Sequence, residues 1–379
     1  MANNSTIDPQ RVSFLAISPY KERLIERPTE KVQAGRDWVR WGDKNTYPLY
    51  LEGLSADCTT LRTIQLGLVD YVVGNGVQIE GGALDAKSID GRHLTPAELV
   101  EVTAKDAARL GGFAWELIPN ANGELAAIVP MKFKYIRLNK EGDVVYYSEK
   151  WQKASPEILV FERWSGEFPY DTKEDKYKSA VLYVKCWGDA IYPEPLYASA
   201  VKACETERGI DEFHLGNIER GFMGSYIINF CNGAPPTDEI KRQIERDVNQ
   251  KFAGATNAGR ILINFADNKD HLAVLQKLEV SDYGNKYETL SEHIRQQLFT
   301  CFRANPNLFG IPTAQGFNAE EYESAFKLFN RTIVHPLQEK ICMAWTKATG
   351  GTMTIEPFTL DGSEQNAGGT GNAATTTEE

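Results

Sequence analysis

Long apolar runs are missing from this chain. No window of the 379 residues approaches 18 uninterrupted apolar positions, so no transmembrane helix is expected. Met1 to Gln10 is polar and lacks an apolar core, which argues against a secretory signal; the chain is expected to stay in the cytoplasm where it is made. Cysteine is sparse and scattered, at Cys58, Cys186, Cys204, Cys231, Cys301 and Cys342, with no CxxC pair and no histidine clustered beside any of them. That pattern excludes a small disulfide scaffold, makes a zinc site improbable, and reads as free buried thiols in a reducing compartment. Positive charge is also short: 41 Lys and Arg against 52 Asp and Glu leave a net charge of -11. A general nucleic-acid binder needs Lys and Arg to neutralise phosphate, so that class is excluded. An acidic protein can still surround DNA without gripping it. Apolar residues are not scarce, however. With 42% hydrophobic and 25% charged residues the chain is globular, and its length suggests two or three domains of about 150 residues.

Enzyme signatures are lacking too. There is no GxxxxGK[ST], HExxH, GxSxG or GxGxxG. Gly254 to Gly259 has the GxxxxG spacing, but Arg260 and Ile261 replace the Lys and the hydroxyl residue. The segment also lies between a helix and a strand, the reverse of the order that aims backbone amides at phosphate. It reads as a helix stop and a tight turn. His214 and His293 sit on two predicted helices, where they could contact each other or a neighbouring subunit, but no spacing supplies the positioned partner that a catalytic His needs. Cys204 and Cys301, on helices with apolar neighbours, read as structural thiols.

Periodicity supplies the elements. The first 50 residues read as an irregular lead-in, with Trp38, Trp41 and Tyr47-Pro48 as anchors. A helix capped by Asp57 follows, with Leu61, Ile64, Leu68 and Tyr71 or Val72 on one face and Gly74-Asn75-Gly76 as its stop. A second helix opens with a capping box, Thr95 and Glu98, and with Pro96 at its first position; it ends at Gly111-Gly112. Strands are expected over 113–118, 125–129, 133–138, 144–147, 158–164 and 180–187, an antiparallel-rich α+β block. A polar helix then runs from Leu196 to about Arg220, carrying Glu205, Glu207, Asp211, Glu212 and Glu219. A helix too polar for a core packs beside copies of itself or bridges domains. Next come a strand over 226–231, a helix from Thr237, and strands over 261–265 and 272–278. The helix from Tyr283 to Arg303 bears a clean apolar stripe. A Pro- and Gly-rich loop over 305–317 has no Lys or Arg. A helix opened by Asn318 is expected to kink at Pro336 and to end near Ala348. From Asp361 onward the acidic, Gly-, Asn- and Thr-rich tail should be disordered.

The stretch from Tyr192 to Ile341 resembles the portal proteins of tailed bacteriophages. Tyr47-Pro48 and Val73-Gly-Asn-Gly76 look like the family's N-terminal opening, and Tyr192-Pro-Glu-Pro-Leu-Tyr-Ala-Ser-Ala200 like the start of its first stem helix. Phe252-Ala-Gly254 through Arg260-Ile-Leu262 resembles the helix–glycine–strand segment of its clip. Asn305-Pro-Asn-Leu-Phe-Gly310, Gly316-Phe-Asn318 and Pro336-Leu-Gln338 look like the tunnel-loop region and the helix after it. The resemblance lies in order and spacing rather than in any one motif. It implies an α+β portal fold: an α/β wing over 1–195, stem helix 1 over 196–221, an α/β clip over 222–280 and stem helix 2 over 281–304. A tunnel loop over 305–317, a short kinked helix over 318–350 and a short strand with the acidic tail over 351–379 complete it.

The same resemblance implies a homododecameric ring at one capsid vertex, with no enzymatic activity and no cofactor. Double-stranded DNA would pass through it during packaging and ejection, and terminase large subunit, capsid or scaffold protein and an adaptor or neck protein would dock on it, with no membrane involved. Glu205, Glu207, Asp211, Glu212 and Glu219 would form an acidic channel wall that keeps phosphate from sticking. Asn307, Pro312, Thr313, Gln315 and Asn318 would belong to the tunnel loop. Asp238, Glu239, Arg242, Arg246 and Lys251 would face terminase and the adaptor. The protein would reside in the virion and, during assembly, in the host cytoplasm. Two other readings are an adaptor, which the length and the large strand block argue against, and an unrecognised metal-dependent enzyme using the Asp and Glu residues.

Overall fold

The computed structural model describes residues 26–32, 35–81, 85–153, 155–219, 226–230, 235, 237, 239–240, 242–244, 246–247, 261–265, 283–311 and 319–359. The chain divides into two compact units. The larger comprises Glu26–Cys204 and Ile294–Glu379; the smaller comprises Met1–Ile25 and Glu205–His293.

The larger unit opens with a hairpin, β1 (Glu30–Val32) and β2 (Val39–Trp41), followed by α1 (Tyr47–Asp57) and α2 (Thr59–Val73). This corrects the irregular lead-in. Val39, Trp41 and Tyr47 are buried, so the segment is part of the core. Asp57 is not the cap of α2 either. It is the last residue of α1, and Cys58, in extended backbone, separates the two helices with no side-chain cap. α2 thus begins one residue later than an Asp57 cap implies, and the helix missed by the sequence reading is α1.

Then come β3 (Gly76–Glu80), β4 (Asp85–Ala86) and α3 (Pro96–Leu110). The capping box of α3 is as expected: Thr95 Oγ1 accepts from Glu98 N at 3.2 Å and Glu98 Oε2 accepts from Thr95 N at 2.8 Å. Gly111 ends α3 at φ 83°, and a Cβ there would lie 2.6 Å from Glu194 O, so glycine alone fits.

Eight strands follow: β5 (Gly112–Pro119), β6 (Leu125–Pro130), β7 (Ile136–Leu138), β8 (Val144–Tyr147), β9 (Leu159–Arg163), the short β10 (Tyr170–Asp171) and β11 (Lys176–Tyr177), and β12 (Ala180–Lys185). The strand expected over 133–138 is shorter. Phe133–Tyr135 is a 3₁₀ turn and only Ile136–Leu138 is extended. One seven-stranded sheet runs β4-β6-β5-β12-β9-β8-β7, antiparallel except at β4–β6 and β9–β12. α3 packs on β5 and against α1 and α2. Trp115, fully buried on β5, donates its indole N–H to Thr103 Oγ1 at 2.9 Å, which ties strand to helix.

Among the described residues, no carboxylate is bonded to the buried Arg137 guanidinium. It donates to Asn45 Oδ1, to Asn45 O at 2.8 Å, to Lys134 O at 3.0 Å and to Ile136 O at 2.6 Å. Its Cζ lies 5.8 Å from the Trp41 ring centroid and 5.2 Å from that of Trp151, and burial lowers its pKa to about 10. Asn45 takes φ 62° and also accepts from Trp41 N at 3.0 Å, so this contact fixes the turn that launches α1.

Asp106, near the C-terminal end of α3, accepts from Phe133 N at 3.2 Å. Burial pushes its carboxyl up to about 7, against the lowering pull of the Phe133 N–H and of Arg109 and Lys134. The folded chain therefore holds a proton between about pH 4 and pH 7 that the unfolded chain has released, and stability falls as pH rises through that window. Asp106→Asn is expected to flatten this dependence and to raise the urea midpoint at pH 8 above that of the parent. If the parent's midpoint climbs from pH 5 to pH 8 relative to the Asn variant, the assignment is wrong.

The chain leaves the larger unit through α4 (Val201–Glu219), preceded by a 3₁₀ turn at Ala198–Ala200, so the helix starts later than Leu196. In the smaller unit β13 (Tyr226–Phe230) pairs in parallel with β14 (Ile261–Phe265). Thr237 Oγ1 accepts from Ile240 N at 3.4 Å, the expected N-cap. The Gly254–Gly259 turn and the strand expected over 272–278 lie outside the described residues.

α5 (Tyr283–Cys301) returns to the larger unit. α6 (Ala319–Phe329), a π-helical turn at Asn330–Val334, α7 (His335–Thr349) and β15 (Thr352–Glu356), antiparallel to β3, complete it. The kink expected at Pro336 is a widened turn just before it: proline has no N–H to return to the preceding turn, and the ladder opens to a wider pitch upstream. The tail from 361 lies outside the described residues.

Candidate functional site

The expected functional residues fall in three places. On α4, Asp211 and Glu212 are exposed, Glu207 is half-buried, and Glu205 pairs with Arg208 at 3.5 Å with only 11% of its side chain exposed. An i,i+3 partner one turn on thus holds the first of the acidic residues. Glu219 is the last residue of the helix, and its side chain lies outside the described ones. α4 also exposes Phe213, Leu215 and Ile218, the last at 61%. The His214 ring lies 5.2 Å from that of Tyr287 on α5, with the Phe213 ring 5.3 Å from the same Tyr287 ring.

In the smaller unit Glu239, Arg242 and Arg246 are exposed on helical backbone, with Arg246 Nε donating to Arg242 O at 3.1 Å. Asp238 and Lys251 lie outside the described residues.

Of the tunnel-loop residues, Asn307 is described; Pro312, Thr313, Gln315 and Asn318 are not. Asn307 sits on a 3₁₀ turn, Pro306–Phe309, capped by Asn305 Oδ1 accepting from Asn307 N at 2.9 Å and closed by Gly310 at φ 72°. This turn is anchored on α2. The buried Tyr71 hydroxyl donates to Leu308 O at 2.7 Å. The Tyr71 ring packs against Phe309, Phe326, Phe329 and Phe358 at centroid distances of 4.9–6.0 Å. Burial raises the phenol pKa far above the ordinary value, so it is neutral at any physiological pH. Sequence reasoning placed Tyr71 on the apolar stripe of its helix and missed this role. Its signal was a phenol at a core position, which needs a buried acceptor.

Among the described residues no group of three or more His, Cys, Asp or Glu side chains is arranged to hold a metal ion. The described cysteines, Cys58, Cys186, Cys204, Cys301 and Cys342, are free, as expected, and the first three are buried. No helix among the described residues is long and apolar enough to cross a membrane.

No protein-family model matches the chain. A probable portal protein of Haemophilus phage HP1 is 20% identical over 332 residues, covering 86% of this chain and 89% of its own length. Among solved structures, a chain in the neck of an empty gene transfer agent particle aligns over 84% of this chain and 85% of its own, with TM-score 0.51 and 14% identity. A chain in the neck of the native particle, computed with C12 symmetry, aligns over 84% of each chain, with TM-score 0.50 and 16% identity. Over most of its length the chain therefore resembles the phage portal proteins in sequence and the gene transfer agent neck in its mixed α and β fold.

Proposed function

We propose that this chain is a phage portal protein. Twelve copies would form a ring at one capsid vertex, DNA would enter and leave through its axial channel, and neck and tail proteins would attach to it. The observation that carries this reading is similarity to a probable portal protein over 86% of this chain and 89% of that one. The C12 symmetry of the native gene transfer agent neck supports the twelvefold count. The larger unit would be the wing, and α4 and α5 the stem helices. The segment between them would be the clip, with Glu239, Arg242 and Arg246 among the residues offered to terminase and the adaptor.

The physics of α4 agrees with this. A helix that leaves Phe213, Leu215 and Ile218 exposed beside Asp211 and Glu212 is incomplete as a monomer surface, and a ring of copies would cover apolar positions while leaving carboxylates to water. Acidic side chains suit a wall past which a polyanion must slide, because attraction would trap it. The role is structural, with no cofactor.

Native mass spectrometry of the purified chain, with two-dimensional class averages of the same sample, tests the reading. Rings of about twelve subunits with a central hole are expected. A monomer or dimer that neither salt nor concentration converts would overturn it.

A further inference from the structure

A cavity of about 300 Å³ opens between α1, α2 and α3, wholly within the larger unit. Ser55 of α1, Arg62, Leu66 and Val69 of α2, and Ala108 and Arg109 of α3 are among the residues that line it. Its charges do not balance. Glu52 and Lys105 also reach the lining, but each is spent on a partner outside it: Glu52 pairs with Lys134 at 2.7 Å, and Lys105 pairs with Glu101. The guanidiniums of Arg62 and Arg109 have no hydrogen bond or ion pair among the described residues. Asp106, one turn before Arg109 on α3, attracts it only when ionised, and burial keeps that carboxyl protonated up to about pH 7. On the inner wall Ser55 is 3% exposed, and its Oγ has no hydrogen-bond partner among the described residues. Beside these polar groups Leu66, Val69 and Ala108 give the cavity an apolar surface, with Leu66 still 40% exposed.

We propose that this cavity binds a small organic phosphate monoester, its oxyanion between Arg62 and Arg109 and its apolar body over Leu66 and Val69. Two unpaired guanidiniums match a dianion better than they match a carboxylate, which carries one charge, and the planar fork of each suits phosphate oxygens. A mostly apolar wall with a few convergent polar groups is the usual make-up of a small-ligand site, and the volume leaves room for more than a bare phosphate ion. The site is built from three helices of one copy, so it stands or falls independently of the portal reading.

Calorimetric titration of the purified full chain with phenyl phosphate tests the proposal. At about pH 6.5 Asp106 is largely neutral, and a phosphate monoester, with its second pKa at about 6, is largely dianionic. Saturable binding of one phenyl phosphate per chain is expected. Arg62→Gln and Arg109→Gln should each weaken it by about tenfold or more, the loss of a charge-assisted contact. Arg331→Gln, at an exposed arginine elsewhere in the larger unit, should bind as the parent does. Inorganic phosphate should bind at least about tenfold more weakly for want of the apolar body, and benzoate more weakly for want of the second charge. Arg62 is exposed, so its variant keeps the test valid even if Arg109→Gln perturbs the fold. Absence of saturable binding, parental affinity in Arg62→Gln, or an equal loss in Arg331→Gln overturns the site. Benzoate or inorganic phosphate binding as tightly as phenyl phosphate overturns the assignment of the ligand.

Discussion

Replacing Arg137 by methionine is expected to lower the unfolding free energy by about 2–4 kcal/mol, the balance of two opposing effects. The side chain is 1% exposed, and methionine fills much of the same space, so the cavity left behind is small. What is lost is a guanidinium serving Asn45 Oδ1, Asn45 O, Lys134 O and Ile136 O. An acceptor stranded in the interior costs about 1–3 kcal/mol, and only Asn45 Oδ1 keeps another donor, Trp41 N. Against this, the variant no longer buries an unpaired cation, a cost of several kcal/mol in the parent. The stranded acceptors win because there are several of them and because Asn45 holds a left-handed backbone that needs support. Arg137→Lys should fall between the two, keeping the charge and losing the planar fork. Urea unfolding followed by tryptophan fluorescence reads this directly, since Trp41 and Trp151 flank the group. An unchanged midpoint in the methionine variant would mean that desolvation cancels the hydrogen bonds.

The second large effect is functional. Reversing two charges per subunit, with Asp211→Lys and Glu212→Lys together, is expected to leave ring assembly intact and to stop DNA movement. Both side chains are exposed, so their replacement costs the monomer little. In a ring of twelve copies the change presents about 24 new cations where the proposed channel had carboxylates. Engaging even 6–10 phosphates makes binding to duplex DNA weaken by about 10³–10⁵ between 50 and 200 mM salt. Variant rings should therefore hold duplex DNA at 50 mM salt and release it at 200 mM, which sedimentation with a labelled fragment would show, and packaged DNA should fall at least about tenfold. If packaging is unchanged, these residues do not line the path of the DNA.

Legibility from sequence followed the range of the interactions involved. α3 was readable to the residue because its capping box, its N-terminal proline and its terminal glycine are all local. β5, β6, β8, β9 and β12 were readable because turn residues punctuate the runs, whereas β7 was read three residues too long and the two-residue β10 and β11 were not read. The boundary between α1 and α2 was not, because Cys58 carries none of the polar chemistry that marks a helix start. Glu205 read as one member of an acidic face, whereas its side chain is only 11% exposed and pairs with Arg208 one turn on. Least legible were the groups whose partners are distant in sequence. Arg137 meets Asn45 across 92 residues and Tyr71 meets Leu308 across 237, and no local pattern announces either.

The widened turn at Asn330–Val334 makes rotational phase a stored quantity in this chain. Each residue of an α-helix advances the side-chain direction by about 100°, so a five-residue turn holds one residue more than the regular ladder needs. The widened turn takes up that residue, so Leu337, Ile341, Ala344, Trp345 and Ala348 keep the phase that buries them on α7. Deleting one residue between Asn330 and Val334 would remove the surplus and leave Trp345 buried, whereas deleting one between Pro336 and Ile341 would turn it by about 100° away from the core. The length of α7 is therefore constrained more tightly than the length of the turn before it.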